Sequence, residues 1–167
     1  MILRKTFRFE ASHILPGHPG KCRRLHGHSW VLNVFVEGPI NPQTGFVVDY
    51  ATISEYINPL IDRLDHHHLG QWVDPDKQTA IPTDARFTSG LGTDHMVLGM
   101  PPTFYPSSEN LLVWIAGQII ILNWSKLAIE ETCTSYAELT RQEYDSVSYL
   151  KGPAGELADQ IRAAKTP

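Results

Sequence analysis

Cysteine is scarce: among 167 residues only Cys22 and Cys133 occur. That is too few for a disulfide framework, and two free thiols in a reducing compartment are expected. Long apolar runs are also missing. No stretch approaches the roughly 20 apolar residues that span a bilayer, and Met1-Ile2-Leu3-Arg4-Lys5 lacks the apolar core of a secretion signal, so a cytoplasmic protein is expected. Neither sign of charge dominates: 14 Lys and Arg against 18 Asp and Glu leave a net charge of -4, which removes the global electrostatic case for nucleic-acid binding. There is no internal repeat and no low-complexity segment. What remains is an ordinary globular composition, 42% apolar and 19% charged, in a length that suits one domain with a real core and leaves little room for two.

The informative stretch is Cys22-Arg23-Arg24-Leu25-His26-Gly27-His28, which runs directly into the apolar, β-branched segment Ser29 to Val36. Side chains alternate along a strand, so His26 and His28 share a face about 7 Å apart, a reach suited to one metal ion. Met1 to His13 reads as another strand, with Phe7, Phe9, Ala11 and His13 on one face. Paired as a hairpin, the two strands bring His13 to His26 and His28. Three neutral imidazoles without a fourth protein ligand describe a catalytic zinc site with an open position, whereas structural sites are closed by four ligands. The plain alternative is a set of satisfied polar histidines. Around Cys22, Lys21, Arg23 and Arg24 with nearby His18 form a basic cluster that suits an anionic small molecule or an ordinary solvated patch.

Further along, Glu37 to Gly45 is rich in Gly, Pro and Asn and reads as a loop. Asp49 is a natural N-cap for a helix whose Tyr50, Ile53, Ile57, Leu60, Ile61 and Leu64 recur at helical spacing, with Pro59 expected to kink or break it. Asp65-His66-His67-His68 follows, either as a hydrated helix end or as an oriented acid-base pair. Residues 70 to 105 read as an irregular insertion, in which Asp94 and His95 are taken as surface residues. Ser107 caps a second helix carrying the stripe Leu111, Leu112, Ile115, Ile119 and Leu122. Lys126 to Thr132 alternates as a strand with Leu127, Ile129 and Glu131 on one face, and a final strand is expected within Tyr136 to Tyr149, with Leu139 and Val147 in the core. Gly152 to Gly155 then breaks the chain before a short helix, Glu156 to Lys165. The order predicts an α+β domain over 1 to 150, with a four-stranded antiparallel sheet and two helices, followed by an appendage over 151 to 167.

Six segments in this order, Phe9-Glu10-Ala11-Ser12-His13, Cys22 to His28, Thr44 to Tyr50, Leu64-Asp65-His66-His67, Pro106-Ser107-Ser108-Glu109-Asn110 and Glu131-Thr132-Cys133-Thr134, resemble the motifs of the 6-pyruvoyltetrahydropterin synthase family. The spacing of Cys22 from His26-Gly27-His28 and the Glu-Thr-Cys-Thr segment resemble its bacterial branch, which forms 6-carboxy-5,6,7,8-tetrahydropterin on the way to queuosine. The resemblance implies a T-fold, or tunnelling fold, in which three subunits close a β-barrel and two trimers stack into a homohexamer. It implies Zn2+ on His13, His26 and His28, active sites shared between subunits, and conversion of 7,8-dihydroneopterin triphosphate to 6-carboxytetrahydropterin, acetaldehyde and triphosphate. No nucleic acid or membrane partner is implied.

On that resemblance Cys22 is expected to be the general base, and His66 with Asp65 to exchange the second proton. Glu131 is expected to anchor the pterin through its amide N-H and exocyclic amine, while Lys21, Arg23 and Arg24 receive the triphosphate. Cys133 is expected to pack. Rival expectations are the pyruvoyl-forming synthase, which retains the side-chain carbons, and a non-catalytic zinc-stabilised pterin-binding module. The insertion and the tail depart from the family pattern.

Overall fold

The computed structural model describes residues 1–70 and 105–146. The irregular insertion with Asp94 and His95, Val147, and the C-terminal break and helix lie outside these residues. In chain order the elements are β1 (Ile2–His13), a single 3-10 turn (Lys21–Arg23), β2 (His26–Glu37), α1 (Tyr50–Leu64), β3 (His67–Leu69), α2 (Ser108–Gln118), β4 (Trp124–Thr132), β5 (Ser135–Thr140) and α3 (Arg141–Ser146). No helix among the described residues is long and apolar enough to cross a membrane.

The sheet order is β3-β1-β2-β4-β5. β1 and β2 form a twelve-pair antiparallel ladder running from Ile2 opposite Glu37 to His13 opposite His26. β4 and β5 continue the antiparallel run, but β3 lies parallel to β1. The sheet is therefore five-stranded and mixed, in place of the expected four antiparallel strands.

The additional strand arises where a helix end was read. Asp65 leaves α1 with extended backbone while its N-H still reaches Ile61 O. His66 then adopts a left-handed φ of 59° and donates its N-H to Glu10 O at 2.6 Å. That turn lays His67–Leu69 along β1 and buries His68 and Leu69.

Both helices cover one face of the sheet. Phe7, Phe9 and Ala11 of β1, Trp30, Leu32, Val34 and Val36 of β2, Leu127 and Ile129 of β4, and Leu139 of β5 face Ile53, Ile57, Leu60 and Leu64 of α1 and Leu111, Leu112, Ile115 and Ala116 of α2. The expected caps are in place: Asp49 accepts from Ala51 N at 2.7 Å and Ser107 from Asn110 N. Pro59 does not break α1. It lies on the exposed side, as does Glu55, whose carbonyl loses its intrahelical donor to the proline. After Thr140 the chain forms α3 rather than more strand, and its Tyr144 is fully buried beside Trp124.

β2 is the central strand, and even on its other face Val31 and Asn33 are buried. A buried amide needs partners: Asn33 accepts from Thr6 Oγ1 at 2.7 Å and donates to Glu130 Oε1 at 3.0 Å. Leu32 has no exposed surface and lies under both helices, so Leu32→Ala is expected to cost about 2–5 kcal/mol of stability, read as a lower midpoint in denaturant unfolding.

Candidate metal centre

The hairpin register builds the site. Because His13 pairs with His26, and Ala11 with His28, all three imidazoles stand on the helix-covered face at one end of the ladder. Their ring centroids lie 4.4, 5.1 and 5.0 Å apart. Trp30, two residues beyond His28 on the same face, forms the floor, with ring contacts at 5.3 Å to His13 and 5.5 Å to His28. Its indole N-H is fixed on Ala11 O.

β4 contributes the fourth group. Glu130 pairs with Tyr136 and Thr132 with Ser135, so Glu131 is the extra residue of a bulge, a device that re-aims a side chain. Its Oε1 lies 3.2 Å from His13 Nε2 and 3.4 Å from His28 Nε2. One ligand atom from each of His13, His26, His28 and Glu131 falls within 4.8 Å of all the others.

The hydrogen bonds behind the rings determine what this cluster can hold. His13 Nδ1 is 2.7 Å from Pro106 O, and His26 Nδ1 is 2.7 Å from Arg24 O. A carbonyl only accepts, so each Nδ1 carries the proton and each Nε2 presents a lone pair. Those two Nε2 atoms face each other at 3.0 Å, and in the neutral rings neither can donate to the other. Among the described residues His28 Nε2 is buried and makes no hydrogen bond, with Glu131 Oε1 3.4 Å away.

Two Nε2 lone pairs, the buried Nε2 of His28 and a carboxylate oxygen therefore converge on one point. A tetrahedral ion with ligands at 2.0–2.1 Å has edges of about 3.3 Å; three of the six ligand-atom separations, 3.0, 3.2 and 3.4 Å, are close to that length, and all lie within 4.8 Å. The residues fit a divalent metal ion. Backbone carbonyls behind histidine ligands are the usual orienting partners.

Burial holds the His13 imidazole below its ordinary range, outweighing the Pro106 hydrogen bond and the Glu131 carboxylate, which act the other way. Burial likewise lowers His28, opposed by Glu131 and reinforced by His26.

The other residues singled out in the sequence stand apart. Cys22 is half-buried in the 3-10 turn, and its carbonyl accepts from Leu15 N. Lys21, Arg23 and Arg24 are exposed around it. Asp65 and His66 do pair with each other, Oδ2 to Nδ1 at 3.0 Å, and His66 is 78% exposed. Asp65 is held below the usual carboxylate range, first by the Glu10 N-H at 2.7 Å and then by His66. Neither Cys22 nor this pair belongs to the metal cluster.

Two contributors were not legible as site residues. Pro106 and Ser108 read as the start of a helix, yet the Pro106 carbonyl fixes His13 and the Ser108 hydroxyl donates to Glu131 Oε2 at 3.2 Å. Their only sequence signal was membership of the Pro106 to Asn110 motif.

Two outcomes are expected. Each chain binds a single divalent ion, and His26→Ala raises its Kd at least a hundredfold in a chelator-competition titration. In chelator-treated protein, His13 and His28 take up protons less readily than in the unfolded chain, whose imidazoles titrate near 6.5. The unfolded state then binds more protons as pH falls through that value, so stability holds above it and declines below it. Unfolding midpoints at pH 7.5 and 5.5 measure the decline.

The chain is similar to known proteins over most of its length. A putative 6-carboxy-5,6,7,8-tetrahydropterin synthase of Pyrococcus horikoshii is 29% identical, covering 81% of this chain and 87% of its own. A 6-carboxy-5,6,7,8-tetrahydropterin synthase of Synechocystis is 31% identical over 144 residues, 81% of this chain and 90% of its own. The fold matches that of Caenorhabditis elegans 6-pyruvoyl tetrahydropterin synthase with a TM-score of 0.60 at 21% identity, covering 84% of this chain and 94% of the other. The profile of the 6-pyruvoyl tetrahydropterin synthase family matches residues 2–142, and the chain belongs to that family.

Proposed function

We propose that this chain is a zinc-dependent 6-carboxy-5,6,7,8-tetrahydropterin synthase of queuosine biosynthesis. With water consumed, it converts 7,8-dihydroneopterin triphosphate to 6-carboxytetrahydropterin, acetaldehyde and triphosphate. The observation that carries the reading is the convergence of three imidazole nitrogens and the Glu131 carboxylate on one point, in a chain whose relatives, matched over most of their length, bear that name.

His13, His26 and His28 hold the zinc, which when bound supplies Lewis acidity toward the hydroxyls of the substrate side chain. Cys22, in the connection that leads to His26, is the general base that removes a side-chain proton. His66 handles the second proton. Asp65 orients the His66 ring through the 3.0 Å contact, and the Glu10 N-H holds Asp65 below the usual carboxylate range. The exposure of this pair and its separation from the cluster support a role at the site of a neighbouring subunit in a homo-oligomer, a hexamer of two stacked trimers. Glu131 accepts the paired N-H donors of the pterin. The exposed cations Lys21, Arg23 and Arg24 meet the triphosphate.

Mass spectrometry of the products formed from 7,8-dihydroneopterin triphosphate by zinc-loaded protein tests the proposal. Carboxytetrahydropterin and acetaldehyde are expected, with Cys22→Ala slowing turnover about 10²–10⁴-fold. Pyruvoyltetrahydropterin as product would assign the sister reaction. No turnover by zinc-loaded protein would remove the assignment.

A further inference from the structure

The Glu131 carboxylate is engaged at both ends. Oε1 faces His13 and His28 at 3.2 and 3.4 Å, and Oε2 accepts from Ser108 Oγ at 3.2 Å. One short segment at the start of α2 therefore orients a histidine ligand through Pro106 O and a carboxylate through Ser108 Oγ. The bulge at Glu131 aims the carboxylate where a fourth ligand belongs. Its side chain is only 24% exposed, so its charge is partly stripped of water and needs a partner.

We propose that Glu131 is the fourth metal ligand of the substrate-free protein, and that it leaves the metal for the N-H donors of an arriving pterin. This rests on the reading of the site as a pterin-converting zinc centre. Four protein ligands close a site and three leave it open. Exchange of one carboxylate oxygen thus couples arrival of the ring to opening of the coordination position used by the substrate side chain. Ser108 is a positioning residue: by holding Oε2 it fixes Oε1 toward the metal.

The test reads metal binding and coordination instead of turnover. Zn2+ affinity is measured by chelator competition, and Co2+ is substituted so that its visible bands report coordination. Glu131→Gln is expected to raise the Zn2+ Kd more than tenfold and to change the Co2+ bands. Ser108→Ala raises the Kd about tenfold, the order seen for outer partners of metal ligands, and Ser108→Thr, which keeps the hydroxyl, restores it. Adding 7,8-dihydroneopterin to Co2+-loaded wild type changes the bands as the carboxylate departs.

Wild-type Zn2+ affinity and unchanged Co2+ bands in Glu131→Gln would overturn the ligand assignment. Pterin binding detected by fluorescence with no change in the Co2+ bands would overturn the exchange. Carboxylate-dependent bands in a protein that fails to turn over the triphosphate substrate would remove the proposed reaction and support the fourth ligand.

Discussion

Two carbonyl oxygens determine the chemistry of this protein. By accepting from Nδ1 of His13 and His26, Pro106 O and Arg24 O choose the tautomer of both rings and turn their lone pairs toward each other at 3.0 Å. Such an apposition is unfavourable until a cation occupies it. The rest of the fold preserves it: the β1 and β2 register aligns the rings, the α2 N-terminus brings Pro106 behind His13, and Trp30 closes the floor beneath them.

This arrangement sets stability against function. Burying His13 completely depresses its basicity, which is unfavourable for the metal-free fold in acid and favourable for ligation, since a metal competes with fewer protons. Binding energy at such a site is folding energy. A divalent ion bound there would tie together the strand ends that carry the imidazoles.

Much of the site was legible because its elements follow simple periods. The two-residue repeat joined His26 to His28, placed His13 with Phe7, Phe9 and Ala11, and set Glu131 on the face of Leu127 and Ile129. The 3.6-residue repeat gave α1 and α2 with their capping residues Asp49 and Ser107. What escaped depended on contacts distant in sequence. A three-residue strand of His67–Leu69 shows no period, and it exists because His66 turns left-handed against Glu10. Pro59 was expected to kink or break α1, and the helix runs on through it because the proline falls on the exposed side, which the pattern alone does not show. The bulge at Glu131 needs β5 beside it to exist, so a residue expected to meet only a pterin could not be seen facing the imidazoles as well.

Glu130 and Glu131 are neighbours that point to opposite faces of β4, one tied to Asn33 and the other aimed at the imidazoles. A one-residue slip of this strand would still present a carboxylate to the imidazoles, with Glu130 in place of Glu131, but it would turn Leu127 and Ile129 out of the core. The acidic pair is chemically indifferent to which member faces the site. Two buried aliphatic side chains break that tie, so the parity of the metal centre is enforced by residues that never touch it.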